Sequence, residues 1–260
     1  MTSSSSGMIG RPLAEARRRN LPPLAAFKWL AAGWRDLMVQ PGLSLAYGFA
    51  LFAVSIALIW SLFAFGLDYI LFPLIAGFMV VGPLAAIGLY EKSRHIDERR
   101  ALTLKDMLLV KAESGAQVLF IGVLLCLLML LWMRAAVIIY ALFFGLTPFP
   151  GLDHIAPMLF TTPTGWAMLL VGTVVGGLFA AFSFAISVFA VPMLLQERTD
   201  AFTAMGTSIS LVWNNLPVML VWGAIVLALF LFCLVTGLLG LIVVFPLLGH
   251  ATWRAYKAMR

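Results

Sequence analysis

Residues 83–100 read PLAAIGLYEKSRHIDERR, and within this stretch an apolar segment gives way to a dense run of charge. The change is typical of a helix that leaves the hydrocarbon layer of a membrane and enters water. Shorter versions begin at Pro192, as PMLLQERTDA, and at Pro246, as PLLGHATWRAY. The three returns predict a threefold repeat in which an interfacial helix precedes a hairpin of two spans. The alternative is chance similarity, because Pro-Leu and Pro-Met pairs are common in apolar sequence.

Composition indicates the class of the protein. Of the 260 residues, 63% are hydrophobic and 11% are charged, and the mean hydropathy is +1.04. Such a chain has too little polar surface for a soluble globule, so the predicted fold class is all-α, a polytopic transmembrane helical bundle. The formal net charge is +6, but the basic residues lie between apolar spans. They therefore predict contact with the lipid bilayer and its anionic headgroups, and no nucleic acid partner.

Apolar periodicity and length divide the chain into segments. Residues 1–22 are expected to form a flexible cytoplasmic tail, and 23–260 a single transmembrane domain with an interfacial helix at 24–39. That helix would present one apolar face, while its charged side chains point elsewhere. The face comprises Phe27, Leu30, Trp34, Leu37 and Met38, and the charged residues are Lys28, Arg35 and Asp36. The predicted spans cover about 43–65, 69–90, 115–145, 165–195, 216–236 and 238–256.

Three details of this division carry specific expectations. Residues 91–100 and 146–164 are expected as loops, and Thr103 with Asp106 is a capping signal for a short helix. Gly172, Gly176 and Ala180, at four-residue spacing, would let a neighbouring helix backbone approach closely. Residues 216–248 could form one helix of about 50 Å or two short crossings, and we favour two, turning near residues 237–240.

The positions of the basic residues predict the topology. Of 17 Lys and Arg residues, six precede Pro41 and six lie between Glu91 and Ser114, while both expected outer loops have none. The C-terminal tail carries three more. By the positive-inside rule both termini are cytoplasmic, which requires an even number of spans and favours six over five. The expected location is the bacterial inner membrane.

Four segments resemble those of an uncharacterised bacterial integral membrane family. They are GWRDLMVQPGLSLAYG (33–48), PLAAIGLYEKSR (83–94), PMLLQERTDAFTAM (192–205) and FPLLGHATWRAYKAM (245–259). The resemblance extends from about Trp29 onward. It implies a six-helix protein of the inner membrane and no assigned activity. Members of the family are often labelled cytochrome c oxidase subunit I.

The histidine count argues against that oxidase label. A catalytic haem-copper subunit needs several intramembrane histidines, because imidazole is the usual ligand of its haems and copper. This chain has three histidines, His95, His154 and His250, and none of them is expected to face another inside the bilayer. We therefore expect neither a haem-copper catalytic subunit nor any cofactor. An accessory role beside a membrane-protein partner such as a respiratory complex stays open.

Six polar residues are candidates for a site, and each has a structural alternative. Arg134 lies within a span and could pair with Asp68 or Asp153 along an outward-facing polar path, or it could snorkel from a tilted helix. Asp153 and His154 could bind a divalent cation, although two adjacent ligands fall short of a coordination shell. His250 and Arg254, beside two aromatic residues, could contact lipid headgroups or a partner. Anchoring of a helix end would explain the same residues.

Motifs of catalysis are absent from the sequence. It contains no GxSxG, no Walker-type GxxxxGK[ST], no HExxH and no CxxC. All eleven acidic residues are expected at or beyond helix ends, which argues against proton- or sodium-coupled transport. Two functions remain. The first is a non-catalytic membrane protein with an accessory, assembly or lipid-organising role, and the second is a small transporter or channel with a path near Arg134.

Overall fold

The computed structural model describes residues 19–145 and 151–260, and both ranges are helical with no strand. The twelve α-helices of the described residues are α1 Ala25–Met38, α2 Pro41–Ala64, α3 Leu71–Ala85, α4 Ile87–Asp97, α5 Leu104–Leu108, α6 Gly115–Phe144, α7 Leu152–Thr161, α8 Pro163–Ser187, α9 Ala190–Gln196, α10 Ala201–Asn214, α11 Leu216–Val235 and α12 Leu241–Met259. A 3-10 turn, Asp68–Ile70, joins α2 to α3. Residues 1–18 of the predicted tail lie outside the described residues.

Five helical stretches of the described residues are long and apolar enough to cross a membrane. They are Pro41–Ala64, Asp68–Asp97, Gly115–Phe144, Pro163–Gln196 and Leu216–Val235. Large apolar side chains such as Trp60, Leu142 and Leu170 are exposed on these helices. Such surfaces need lipid around them. The predicted class, a helical membrane bundle, is confirmed.

The last apolar run folds into a hairpin of α11 and α12, with its turn at residues 236–240. Its two ends meet at Arg19, whose backbone N–H donates to Asn215 Oδ1 at 2.9 Å and whose Nε donates to the Met259 carbonyl at 2.8 Å. The hairpin therefore starts and ends on one side of the bundle. Helix α12 is not among the five apolar stretches, because its second half, HATWRAYKAM, is polar. A sixth span stays a prediction.

Helix α12 packs antiparallel to α2 but reaches only part of its length. Ser44 faces His250, and the Cα of Gly48 lies against the carbonyl of Ile242. From Gly48, helix α2 continues to Ala64, about 24 Å further, whereas α12 begins one residue before Ile242. The α11–α12 turn thus ends well short of the end of α2 at Ala64. We call the opposite side, which carries α1, α5, α10 and the C-terminus, the basic end.

Two hairpin turns close with the same hydrogen-bond pattern. Gly66 and Gly237 have φ of 65° and 62°, and the residue after each donates its N–H five positions back at 2.7 Å. These bonds run from Leu67 to Leu62 and from Leu238 to Cys233. This is the Schellman motif, which satisfies carbonyls at a helix end and favours glycine because the conformation is left-handed. The two turns lie in the first and third hairpins of the predicted repeat, and they end their first helix in the same way.

The predicted loop at residues 91–100 is wrong, because α4 continues to Asp97. Its charges are compatible with a helix since they pair along one face. Glu91 Oε1 accepts from Arg94 Nη2 at 2.7 Å and from His95 Nε2 at 3.0 Å, at three- and four-residue spacing. The return through Pro83 is interrupted at Ala86, between α3 and α4. The return through Pro192 is interrupted at residues 188–189, where proline removes a helical N–H.

Two further expectations need correction. The expected outer loop at 146–164 contains helix α7, in which Ile155 and Leu159 are buried. Gly176 does not admit a helix backbone, because a Cβ there would meet the Trp132 ring at 2.9 Å. The small residue accommodates an indole.

The capping signal at Thr103 is confirmed, as Thr103 and Asp106 form a reciprocal capping box.

The residues of the apolar face predicted for α1 divide between the protein surface and the bundle interior. Phe27, Trp34 and Met38 are exposed, whereas Leu37 is buried. The face that packs against the bundle carries Ala25, Ala26, Trp29, Gly33, Asp36 and Leu37. Small residues dominate it, because α12 approaches so closely that a Cβ at Gly33 would lie 2.5 Å from the Ala251 nitrogen. Asp36 therefore points into the protein and not into water.

Helix α10 begins at Asp200, whose Oδ1 accepts the backbone N–H of Thr203 at 2.9 Å. The Thr203 hydroxyl and then its N–H hold the pKa of Asp200 below its ordinary value. Because the folded pKa is the lower one, the cap stabilises the protein above the unfolded pKa, and this contribution is lost as pH falls through the folded value. We expect Asp200→Asn, which caps without titrating, to remove that loss. Melting temperatures between pH 3 and 7 test this, and parallel curves for the two proteins would contradict it.

Candidate functional site

A buried polar network joins α1, α2, α4 and α12 at the basic end. Ser44, Lys92, Ser93 and His250 are fully buried, and Asp36 is 5% exposed. These residues come from three separate regions of the sequence, 36–44, 92–93 and 250, and close packing of α12 onto α1 and α2 brings them together. Their density is unusual for a protein whose helices are otherwise apolar, so they form the candidate site.

The hydrogen bonds of the network run in one direction, from a cation to an anion. Lys92 Nζ donates to Ser44 Oγ at 2.7 Å and to the Gln40 carbonyl at 3.0 Å. Ser44 Oγ lies 2.9 Å from His250 Nε2, and His250 Nδ1 lies 2.8 Å from Ser93 Oγ. Ser93 donates to Asp36 Oδ2 at 2.9 Å. The order is Lys92, Ser44, His250, Ser93, Asp36.

This order assigns the proton positions on His250. Ser93 has one hydroxyl proton, which it gives to Asp36, so its oxygen must accept the Nδ1–H of His250. Ser44 accepts from Lys92 and gives its own proton to Nε2. A neutral imidazole with its proton on Nδ1 therefore satisfies each of these bonds. A second proton on Nε2 would face the Ser44 oxygen and leave the Ser44 proton without that acceptor.

Arg254 closes the anionic end of the network. Its Nε and Nη2 donate to the two oxygens of Asp36, each at 2.6 Å, in a bidentate pair. Its Nη1 donates to Asp97 Oδ1 at 2.6 Å, and Asp97 Oδ2 accepts the indole N–H of Trp253 at 2.8 Å. Asp97 and Arg254 are 26% and 22% exposed at their side chains. The network therefore meets water at this pair.

Two smaller clusters lie beside the network. Glu91 and Arg94 are buried together, and Arg94 Nη1 also donates to the Leu195 carbonyl at 2.9 Å, which ties α4 to α9. Glu197 accepts from Tyr256 Oη at 2.7 Å and from Arg260, which fastens the end of α12 to the segment after α9. Both clusters hold helices of different hairpins together.

The chemistry available to the network is limited by its enclosure. A serine, a histidine and an acid in hydrogen-bonded sequence resemble a nucleophile, a base and its orienting group. Here a second serine separates His250 from Asp36, and Ser44 is 0% exposed. None of the five residues lines the apolar cavity found elsewhere in the bundle. The arrangement positions helices and gives a substrate no access.

The sequence-predicted candidates divide into two groups. His250 and Arg254 lie in the network, although the burial of His250 contradicts the expected headgroup contact by that residue. Arg134 is exposed and has no hydrogen-bonding or ionic partner among the described residues, so the pair with Asp68 is absent. Asp153 and His154 lie in α7, and the side chain of Asp153 is outside the described residues. In the ranges 19–145 and 151–260, no three His, Cys, Asp or Glu residues are grouped to hold a metal ion.

Sequence reasoning missed Asp36, Ser44, Lys92, Ser93 and Asp97. The periodicity of α1 predicts only that Asp36 points away from the large apolar face. The available signal was the run of small residues, since Ala26 and Gly33 share a helical face with Asp36 and a small face predicts close helix packing. Ser44 gives no comparable signal, as a single serine near a helix start is common.

The fold and this network define a polytopic helical membrane protein that buries its polar chemistry between helices at one end. Residues 71–196 match the model of the family described as predicted integral membrane protein (DUF2189), which agrees with the resemblance stated above. The matched range runs from α3 to the end of α9 and includes Lys92 and Ser93. No curated protein and no solved structure matches the chain. Nothing in the match indicates a haem-copper oxidase.

Proposed function

We propose that this protein is non-catalytic and acts by contact with lipid and with a partner in the bacterial inner membrane, in an accessory, assembly or lipid-organising role. The observation that carries the proposal is the surface of α1 and α10 at the basic end. Trp34 and Trp213 are 46% and 71% exposed there, beside exposed Phe27 and Phe202. Amphipathic helices with such faces lie in the headgroup region of a bilayer.

Charge supports a contact with anionic lipid at the same end. Lys28 and Arg35 lie on α1 beside these aromatic residues, and the basic residues of the chain concentrate at this end. Basic residues near a membrane surface attract anionic headgroups and favour the cytoplasmic side. We therefore place both termini in the cytoplasm. Burial of the network supports the non-catalytic part of the proposal, since its serine and histidine are enclosed.

The test is purification of the tagged protein from its own membranes in mild detergent, with lipid analysis, protein mass spectrometry and a visible spectrum of one sample. We expect enrichment of anionic phospholipid over the bulk membrane and no haem band. Replacing Trp34 and Trp213 with Ser should reduce the enrichment. The matched control replaces Trp60 and Trp166, which are exposed toward the opposite end, and should leave it unchanged.

Three outcomes would contradict the proposal. The first is a lipid composition equal to the bulk membrane with no co-purifying protein. The second is a haem band in stoichiometric amount on the protein itself. The third is covalent labelling of Ser44 by a fluorophosphonate, which would show an accessible nucleophile. Respiratory subunits in stoichiometric amount would support the accessory form of the role.

A further inference from the structure

An apolar cavity of about 120 Å³ lies between α3, α8, α11 and α12. Helix α11 packs on α1, α10 and α12, and the cavity separates it from α3 and α8. The ring stack of Phe78 on Phe230, 6.0 Å between centroids, bridges part of the gap. No charged residue lines the walls. An occupant would therefore be uncharged along the part that enters.

The residues that line the cavity extend along its helices for several turns. Its walls extend along α3 and α4 from Phe78 to Tyr90 and along α11 from Trp222 to Cys233, about 16 to 18 Å of helix in each case. Its volume is close to the roughly 150 Å³ of an apolar cavity that admits one benzene molecule. A hydrocarbon chain lying along this length would therefore place only a short part of itself inside the cavity.

One polar group at the basic end of the cavity has no partner. Trp222 is fully buried and lines the wall, and its Nε1 has no hydrogen-bond acceptor among the described residues. The Trp222 ring meets that of Trp29 edge-on, with 6.0 Å between centroids, and its N–H has no oxygen or nitrogen acceptor among the described residues, so an acceptor from outside the chain would satisfy it. Trp222 lies six residues into α11, about 9 Å from the basic end. That is the depth at which the hydrocarbon layer of a bilayer meets its interface.

We propose that the cavity binds one acyl chain of a glycerophospholipid, with the indole N–H of Trp222 donating to the ester carbonyl. The chain would extend from Trp222 toward Phe230. This inference rests on the proposed lipid-contact function and names the ligand class and the site for it. The ester carbonyl supplies an uncharged acceptor next to a hydrocarbon chain, which is the combination that the cavity walls require.

The test uses a phosphatidylglycerol with a diazirine on its acyl chain, photo-crosslinked to the purified full-length protein and mapped by mass spectrometry. We expect adducts on wall residues such as Phe230. Trp222→Phe keeps a ring and loses the N–H, and it should lower labelling roughly two- to tenfold, the range of one hydrogen bond between uncharged groups. Gly82→Leu should abolish labelling, because Gly82 lines the cavity with open space beside its Cα. Gly177→Leu, at an exposed and equally open position on α8, is the control.

A second lipid distinguishes the contribution of the ester carbonyl to binding from that of the acyl chain. An ether-linked phospholipid has no ester carbonyl. It should therefore bind the wild type more weakly than the ester lipid does, by the same factor that Trp222→Phe lowers binding of the ester lipid. The Trp222→Phe variant should bind the ester and the ether lipid equally. Equal labelling of all four proteins, or equal binding of ester and ether lipids to the wild type, would overturn the proposal. So would a stoichiometric quinone in place of phospholipid. If the purified protein is enriched in anionic phospholipid but no residue of the cavity wall is crosslinked, only this site is overturned. If neither enrichment nor crosslinking is observed, the proposed function is overturned as well.

Discussion

Replacing Asp36 with Ala is expected to lower the free energy of unfolding by about 3 kcal/mol. The change removes both acceptors of the bidentate Arg254 pair and the acceptor of Ser93. Breaking a buried pair costs about 3 to 5 kcal/mol because one charge stays buried alone. The lower end applies here, since Arg254 keeps Asp97 and is partly exposed. Denaturant or thermal unfolding in a defined detergent measures the effect.

A double-mutant cycle distinguishes this effect from loss of packing. Arg254→Met removes the partner charge, so the double variant should be more stable than the sum of the two single changes predicts. Glu113→Ala serves as the control, because Glu113 pairs with Arg198 at an exposed position and should cost no more than about 1 kcal/mol. Additive single changes, or equal effects at Glu113 and Asp36, would show that the Asp36 pair does not stabilise the fold.

Composition was sufficient to predict the class and most of the helices, for a physical reason. In a bilayer the backbone must satisfy its own hydrogen bonds, so apolar length translates directly into helix. The predicted spans 43–65 and 216–236 accordingly lie within two residues of the observed α2 and α11. Charge fails as a marker of helix ends where it is paired, and this is why α4 continues through Glu91 and Arg94 to Asp97.

The network could not be predicted, because it depends on distance between helices and not on pattern along one helix. The sequence indicates His250 as a residue near a helix end, but its partners Ser44 and Ser93 are 206 and 157 positions away. A periodicity argument ranks residues by hydrophobicity and therefore places Asp36 off the apolar face of α1, without indicating that it is buried. Burial of a charge becomes acceptable only when its partner comes from another helix, and that information is not local.

Helices α2 and α12 make one further close contact, between Gly48 and the turn of α12 that ends at Pro246. Proline has no N–H, so the carbonyl four residues earlier, that of Ile242, has no partner within α12. The Cα of Gly48 faces that carbonyl, in the manner of a weak Cα–H to oxygen contact. A Cβ at this position would lie 2.3 Å from the Ile242 oxygen and 2.9 Å from Pro246 Cγ. Backbone cannot move aside as a flexible side chain can.

Gly48→Ala is therefore expected to destabilise the protein by about 3 kcal/mol or more, at the upper end of the range for overpacking. Ser44 lies one turn away on the same face, so separation of α2 from α12 should also break its 2.9 Å bond to His250. We expect the imidazole of His250 to show this in its NMR nitrogen shifts. The control is Gly172→Ala, also in the middle of a span but with no atom within 4 Å of the new methyl, where the better helix propensity of Ala should make the change neutral or stabilising. If Gly48→Ala unfolds no more readily than Gly172→Ala, then α12 does not depend on this contact, and the close packing that assembles the network must come from the approach of α12 to Gly33 instead.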